Sequence, residues 1–240
     1  MLNYHQLKER PRELLTATGL TPTEFEQLLA AFESASTKEY PAERTLQGKP
    51  RQGQPGAGAK GKLKSMADKL LFVLVYQKTN PLQTMHGLQF GLSQGQANYW
   101  IHHLLPVLQQ ALRELGQAPE RRAAAVARSA LAHEGGPALV IDGTERPRQR
   151  PQDRQRPQDK TQQKQYYSGK KKTHTDKNIL LVNEHNRKVV YLSETVAGKT
   201  HDKKAADEAA IVYPQVPAGT RRVPSYLKIP VFKAMSPKVC

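Results

Sequence analysis

Cysteine is nearly absent from this chain: Cys240 is the only one in 240 residues. That excludes an intrachain disulfide and a cysteine-rich zinc site, and it suits a reducing compartment. Long apolar runs are missing too. The longest, Leu70 to Tyr76, is far too short to span a bilayer. The start, MLNYHQLKERPRELL, lacks the apolar stretch of a signal peptide. A soluble cytoplasmic chain is expected, associated with the nucleoid, with no membrane partner. Acidic residues are scarce: 21 against 37 Lys and Arg, giving a formal net charge of +16 and a pI near 9.9. An excess of that size points to a polyanionic partner, nucleic acid first and an anionic membrane surface second.

The charge is clustered. Gly48 to Lys64 carries five basic residues and no acid, and Arg146 to Lys177 carries eleven against Asp153, Asp159 and Asp176. These two stretches hold +13 of the +16. A local excess favours a phosphate-binding footprint over a uniformly solvated surface.

Six segments follow from composition and periodicity. Residues 1–46 form an N-terminal helical segment. In it Thr21-Pro22-Thr23-Glu24 reads as a capping box, with Phe25, Leu28, Leu29 and Phe32 on one helix face. Residues 47–64 are a basic, Gly-rich linker. Residues 65–115 form a three-helix unit. Its first helix starts at Ser65-Met66-Ala67-Asp68, its second runs from about Leu82 to Phe90, and Gly91 is placed to end that one. The third helix puts Ala97, Ile101, Leu104, Leu105, Leu108 and Leu112 on one face, with a kink or break expected at Pro106. Residues 116–136 are a helical linker. Residues 137–220 hold a short buried strand, Ala138 to Ile141, ending at Asp142. Three further strands are expected over Tyr166–Thr173, Asn178–Asn183 and Lys188–Thr195, with a turn at His185-Asn186-Arg187 and a helix over Lys203–Val212. Residues 146–165, where Arg-Pro-Gln-Asp occurs twice, read as a loop that does not fold independently. Residues 221–240 have no clear periodicity.

Two helices joined by Gly91-Leu92-Ser93 match a helix-turn-helix. Its second helix would present Gln94, Gln96, Asn98 and Tyr99, and Gln or Asn can pair with adenine in the major groove. A plain packing module with a solvated polar face is the alternative. Asp142 and Asp202 lie 60 residues apart. A hairpin between them could bring both to one sheet edge, where two carboxylates can bridge a pair of Mg²⁺ ions. Alternatively, an Asp after a strand caps a turn or a helix.

At these residues the chain resembles a known family. The run VIDGTERP, then YYSGKKKTHT, then a hairpin ending in GKTHD is similar to DDE superfamily transposases of bacterial insertion sequences, in the Harbinger-like group. KLLFVLVYQKTNP and MHGLQFGLSQGQANYWIHHLLPVLQQAL resemble the helix-turn-helix preceding their catalytic domain. The resemblance spans roughly residues 10–220. It implies an α+β chain: an all-α helix-turn-helix domain followed by an incomplete RNase H-like α/β domain with a mixed sheet. It implies that Asp142 and Asp202 are catalytic metal ligands, with Mg²⁺ as cofactor, hydrolysing transposon ends and transferring strands. The implied partners are double-stranded DNA, at transposon ends and target, and a homodimer. Lys170, Lys171 and Lys172 would contact phosphate or else blunt a strand edge. His201 would orient Asp202 or serve a structural role.

The family needs a third acid on a later helix. Asp207 and Glu208 follow Asp202 too closely, and Ala209 to Cys240 contains no acid. A truncated, inactive transposase is therefore expected. Lys228 to Cys240 can be encoded so that the preceding frame reads Asp-Thr-Gly-Phe-Gln-Gly-Tyr-Glu-Pro-Glu-Gly-Val, similar to the family's segment there. That suggests a frameshifted tail. The competing reading is a non-catalytic protein that occupies element ends and represses transposition. RNA binding is weaker, because no aromatic-rich stacking motif is present.

Overall fold

The computed structural model describes residues 1–43, 49–50, 61–134, 139–152 and 160–212. Most of the 47–64 linker, one Arg-Pro-Gln-Asp copy with part of the other, and the 221–240 tail lie outside the described residues. The chain divides into two compact units, Met1–Gln117 and Ala118–Cys240.

The first unit is helical: α1 (Tyr4–Lys8), α2 (Pro11–Thr18), α3 (Pro22–Glu39), α4 (Met66–Thr79), α5 (Gln83–Phe90) and α6 (Gln94–Glu114). Capping boxes form at the starts of three helices. Thr21 with Glu24 opens α3, Ser65 with Asp68 opens α4, and Ser93 with Gln96 opens α6. Each satisfies backbone N–H groups that a helix start leaves without partners. Leu70 to Val75 of α4 are all buried, so this helix has no polar face in its middle and forms the centre of the unit. Phe25, Leu28 and Phe32 of α3 pack on it together with Ala97, Ile101, Leu104 and Leu108 of α6. Leu29, Leu105 and Leu112 are only partly buried. The break expected at Pro106 does not occur, and α6 runs through it. Pro106 and His102 both lie on the exposed side, so the carbonyl that Pro106 leaves without an N–H donor can meet water.

The second unit begins with a 3₁₀ helix (Ala123–Arg128) and α7 (Ala130–His133), short pieces where a longer helix was expected. Then come β1 (Leu139–Pro147), α8 (Thr161–Tyr166), β2 (Tyr167–Ser168), β3 (Thr173–Asn183), β4 (Val189–Leu192), β5 (Val196–Ala197) and α9 (Asp202–Glu208). Strand β3 is the spine, pairing antiparallel with β1 on one edge and with β2, β4 and β5 elsewhere. All named strand pairings among the described residues are antiparallel, and the isolated bridge between Glu120 and Tyr191 is parallel. Leu181, Val190 and Tyr191 pack on Val126, Leu131 and Ala132, with Leu139 and Ile141 beside them.

Three expectations are corrected here. Strand β1 does not end at Asp142 but continues to Pro147, which places Asp142 in mid-strand. The strand expected over Tyr166–Thr173 is the end of α8, the two residues of β2, and a turn in which Lys172 has φ +53°. The strand expected from Asn178 begins at Thr173. Its buried face includes Thr175, Lys177, Ile179, Leu181 and Asn183, so polar side chains hide the period-two pattern. The hairpin turn over His185-Asn186-Arg187 forms, closed by the Arg187 amide donating to the Asn183 carbonyl at 2.9 Å.

Candidate active site and nucleic-acid interface

Gly91 ends α5 in the left-handed conformation, at φ +67°, and the chain turns through Leu92 to the Ser93 cap of α6. The four residues expected at the start of α6 have different roles. Gln96 accepts from the Ser93 amide at 3.0 Å as part of the capping box. Gln94 and Asn98 both donate to Gln83 Oε1, at 2.8 and 3.2 Å, which ties α6 to α5. Tyr99 is 45% exposed and lies parallel to His103, with ring centroids 5.5 Å apart. Behind this surface, His86 is fully buried among Phe72, Tyr76 and Phe90. Burial lowers its pKa.

In the second unit the register of β1 on β3 sets the site. Gly143 faces Ile179 and Glu145 faces Lys177, so these four residues share one side of the sheet. Asp142 is opposite Leu180, and strand alternation directs it to the other side, with Thr144 and Arg146. Its Oδ1 accepts from the Gly143 amide at 2.8 Å. Asp202, the first residue of α9, lies against Gly143 on the Glu145 side. A methyl group at Gly143 would come within 2.8 Å of Asp202 Oδ1 and would push that carboxylate aside. Asp142 and Asp202 are therefore brought to adjacent residues of one strand but not onto one face.

What joins Asp202 to the sheet is Lys177. Its Nζ contacts Asp202 Oδ1 at 2.7 Å and Glu145 Oε1 at 3.2 Å, and donates to the Thr200 carbonyl at 2.6 Å. The Lys177 and Glu145 side chains are 5% and 7% exposed, whereas Asp202 is 50% exposed. Burial disfavours the Lys177 charge, but Asp202 and then Glu145 outweigh it and raise the pKa. Burial likewise opposes the Glu145 charge. The Ser168 side chain, Lys177 and Thr175 prevail and lower its pKa. Thr175 donates to Glu145 Oε2 at 3.2 Å. Neither Glu145 nor Lys177 stood out in the sequence. The signal for Lys177 was its odd-numbered place in a strand whose other odd positions from Thr175 to Asn183 are buried. His201 caps α9 by accepting from the Lys203 amide at 3.3 Å, so it takes the structural role. Lys170, Lys171 and Lys172 are exposed in the β2–β3 turn.

Residues 61–114 match the family model of the helix-turn-helix of DDE superfamily endonuclease, and residues 141–221 match that of the DDE superfamily endonuclease itself. Together they cover more than half of the chain, in the order the fold shows. The chain belongs to the DDE superfamily endonucleases. No curated protein and no solved structure matches it. For a DDE superfamily endonuclease the helical unit is the DNA-binding part, the α+β order is the expected one, and the function is transposase-like DNA processing. Among the described residues, no helix is long and apolar enough to cross a membrane.

DDE superfamily endonucleases use divalent metals, and the donor set tests whether one fits here. Among the described residues no three of His, Cys, Asp and Glu are grouped to hold an ion. Asp142 and Asp202 are on opposite faces, and the Glu145 and Asp202 carboxylates already share an ammonium group. A hard divalent cation takes several oxygen ligands at once. The arrangement described does not supply them, because Lys177 occupies the place between the acids.

Proposed function

We propose that residues 1–240 recognise the ends of an insertion sequence through α5 and α6, as a monomer or a homodimer on duplex DNA at the bacterial nucleoid, and hold those ends without cleaving them. The observation that carries this reading is the 2.7 Å contact between Lys177 Nζ and Asp202 Oδ1. It commits the second of the two family acids to an internal cation. Asp142 and Asp202 are the acids of an ancestral Mg²⁺ site. Two carboxylates held apart hold a metal pair poorly, so strand cleavage is not expected of this polypeptide.

Binding without cleavage is occupancy. A chain that sits on element ends keeps an active enzyme off them, and repression of transposition follows. Recognition rests on the first turns of α6, where Tyr99 is 45% exposed beside His103 and Gln94 and Asn98 keep donor or acceptor atoms beyond those shared with Gln83. The test uses duplexes tiled across the DNA flanking the coding sequence. One or two tiles should bind far more tightly than the rest at about 0.15 M salt. Gln94→Ala with Asn98→Ala should flatten that preference by roughly 1–3 kcal/mol per lost base contact. Equal affinity for every tile would refute end recognition.

A further inference from the structure

A cavity of about 690 Å³ opens in the second unit beside the acid–lysine cluster. Arg150, Lys160, Lys164 and Lys199 line it, with Tyr167 and His174 among the remaining wall residues. The sequence expected a loop over residues 146–165. Instead α8 folds back onto the sheet, and Arg150 is anchored to it: Nε and Nη2 donate to Gln163 Oε1 at 3.1 and 2.8 Å. Gln163 in turn donates to the Pro151 carbonyl at 3.1 Å. Lys199 is brought in from the loop before α9, where its amide donates to the Gln165 carbonyl at 3.3 Å.

Two features define what this cavity can hold. Its four cations have no carboxylate partner among the described residues, and no acid lines the wall. Four positive charges around one opening, without an acid among the described wall residues, suit a ligand with several negative charges. Its aromatic wall is accessible: Tyr167 is 44% exposed, and its ring meets His174 edge-on at 5.6 Å. A basic groove with an exposed ring is the combination that binds single strands, where phosphates meet lysines and a base stacks on the ring. The volume falls within the range for a ligand larger than one inorganic ion. The loop from Gly198 to Asp202 serves both places, contributing Lys199 to the cavity and Thr200 and Asp202 to the lysine cluster.

We propose that this cavity is a single-stranded DNA site, taking one or two unpaired nucleotides with phosphates on Arg150, Lys164 and Lys199 and a base on Tyr167. The site deepens the DNA-end reading above and rests on it. It gives α8 and Lys199 a role beside the lysine cluster, because the Gly198–Asp202 segment that lines the cavity also carries Asp202. Double-stranded DNA is bound separately, by α6.

The test measures affinity of the full chain for a fluorescein-labelled thymidylate octamer and for a preferred duplex tile. Lys164→Ala with Lys199→Ala should weaken octamer binding at least tenfold. It should also lower the slope of log K against log salt by about 0.7 per lost phosphate contact. Tyr167→Leu should weaken it by about 5-fold or more with the slope unchanged. Duplex affinity should move little in both variants. All three side chains are exposed, so the fold should survive, and Lys203→Ala with Lys204→Ala, exposed on α9 and outside the cavity wall, is the control. The inference falls if Tyr167→Leu binds the octamer as wild type does, or if the control pair costs as much as the cavity pair. A chain that binds duplex tiles but no octamer removes the cavity site and leaves end recognition standing. A chain that binds neither removes both.

Discussion

At the scale of single residues, Lys177 decides most. A buried ammonium costs several kcal/mol to desolvate and is tolerated only with good partners, here Glu145, Asp202 and a carbonyl. Lys177→Met should therefore destabilise the second unit by about 3 kcal/mol, because Glu145 is left charged and buried. Lys177→Met combined with Glu145→Gln should recover most of that loss, as read from urea midpoints. Equal midpoints for the single and double variants would mean that the pair does not carry the effect. His86 sets a second dependence. Its folded pKa lies below the ordinary 6.5, so the unfolded chain binds more protons just below that value. Stability is present above pH 6.5 and is lost as pH falls beneath it. His103, lowered by burial and by Lys69, acts in the same direction. His86→Leu should flatten the urea midpoint between pH 7 and 5, leaving only the His103 share, and an unchanged slope would exclude His86. Below about 4.5, the ordinary Glu value, the lowered pKa of Glu145 adds its own loss of stability as pH falls.

At the scale of elements, caps were legible and buried polar strands were not. Thr21 with Glu24, Ser65 with Asp68 and Ser93 with Gln96 could be read three residues apart, because a capping box is local. Ser93→Ala should cost about 1 kcal/mol and loosen the turn that sets α5 against α6, as seen in the thermal midpoint of the first unit. No change would mean that Gln83 with Gln94 and Asn98 holds the turn alone. Strand β3 was read as half its length because Thr175 and Lys177 look like surface residues. Only their partners, the Glu145 carboxylate and the Thr200 carbonyl, make them interior ones. The cavity was illegible for the same reason. Arg150, Lys164 and Lys199 are distant in sequence and meet only after α8 and the Gly198 loop fold onto β3.

For the whole molecule, charge and family agree. The excess of 37 basic over 21 acidic residues predicts DNA affinity that falls steeply with salt, and the two matched regions assign DNA binding to one unit and the endonuclease scaffold to the other. Family membership was legible from motifs such as VIDGTERP and GKTHD. That the two motif acids lie on opposite faces of β1, with a lysine holding one of them, was not, because face and register are set by pairing. Element ends held by residues 1–240 should stay uncut. Incubation of the chain with an end-labelled preferred duplex in about 10 mM Mg²⁺ or Mn²⁺, followed by denaturing electrophoresis, checks this. A retained, intact duplex is expected at saturating protein. Nicks that depend on the metal and vanish in Asp142→Asn and Asp202→Asn would contradict it.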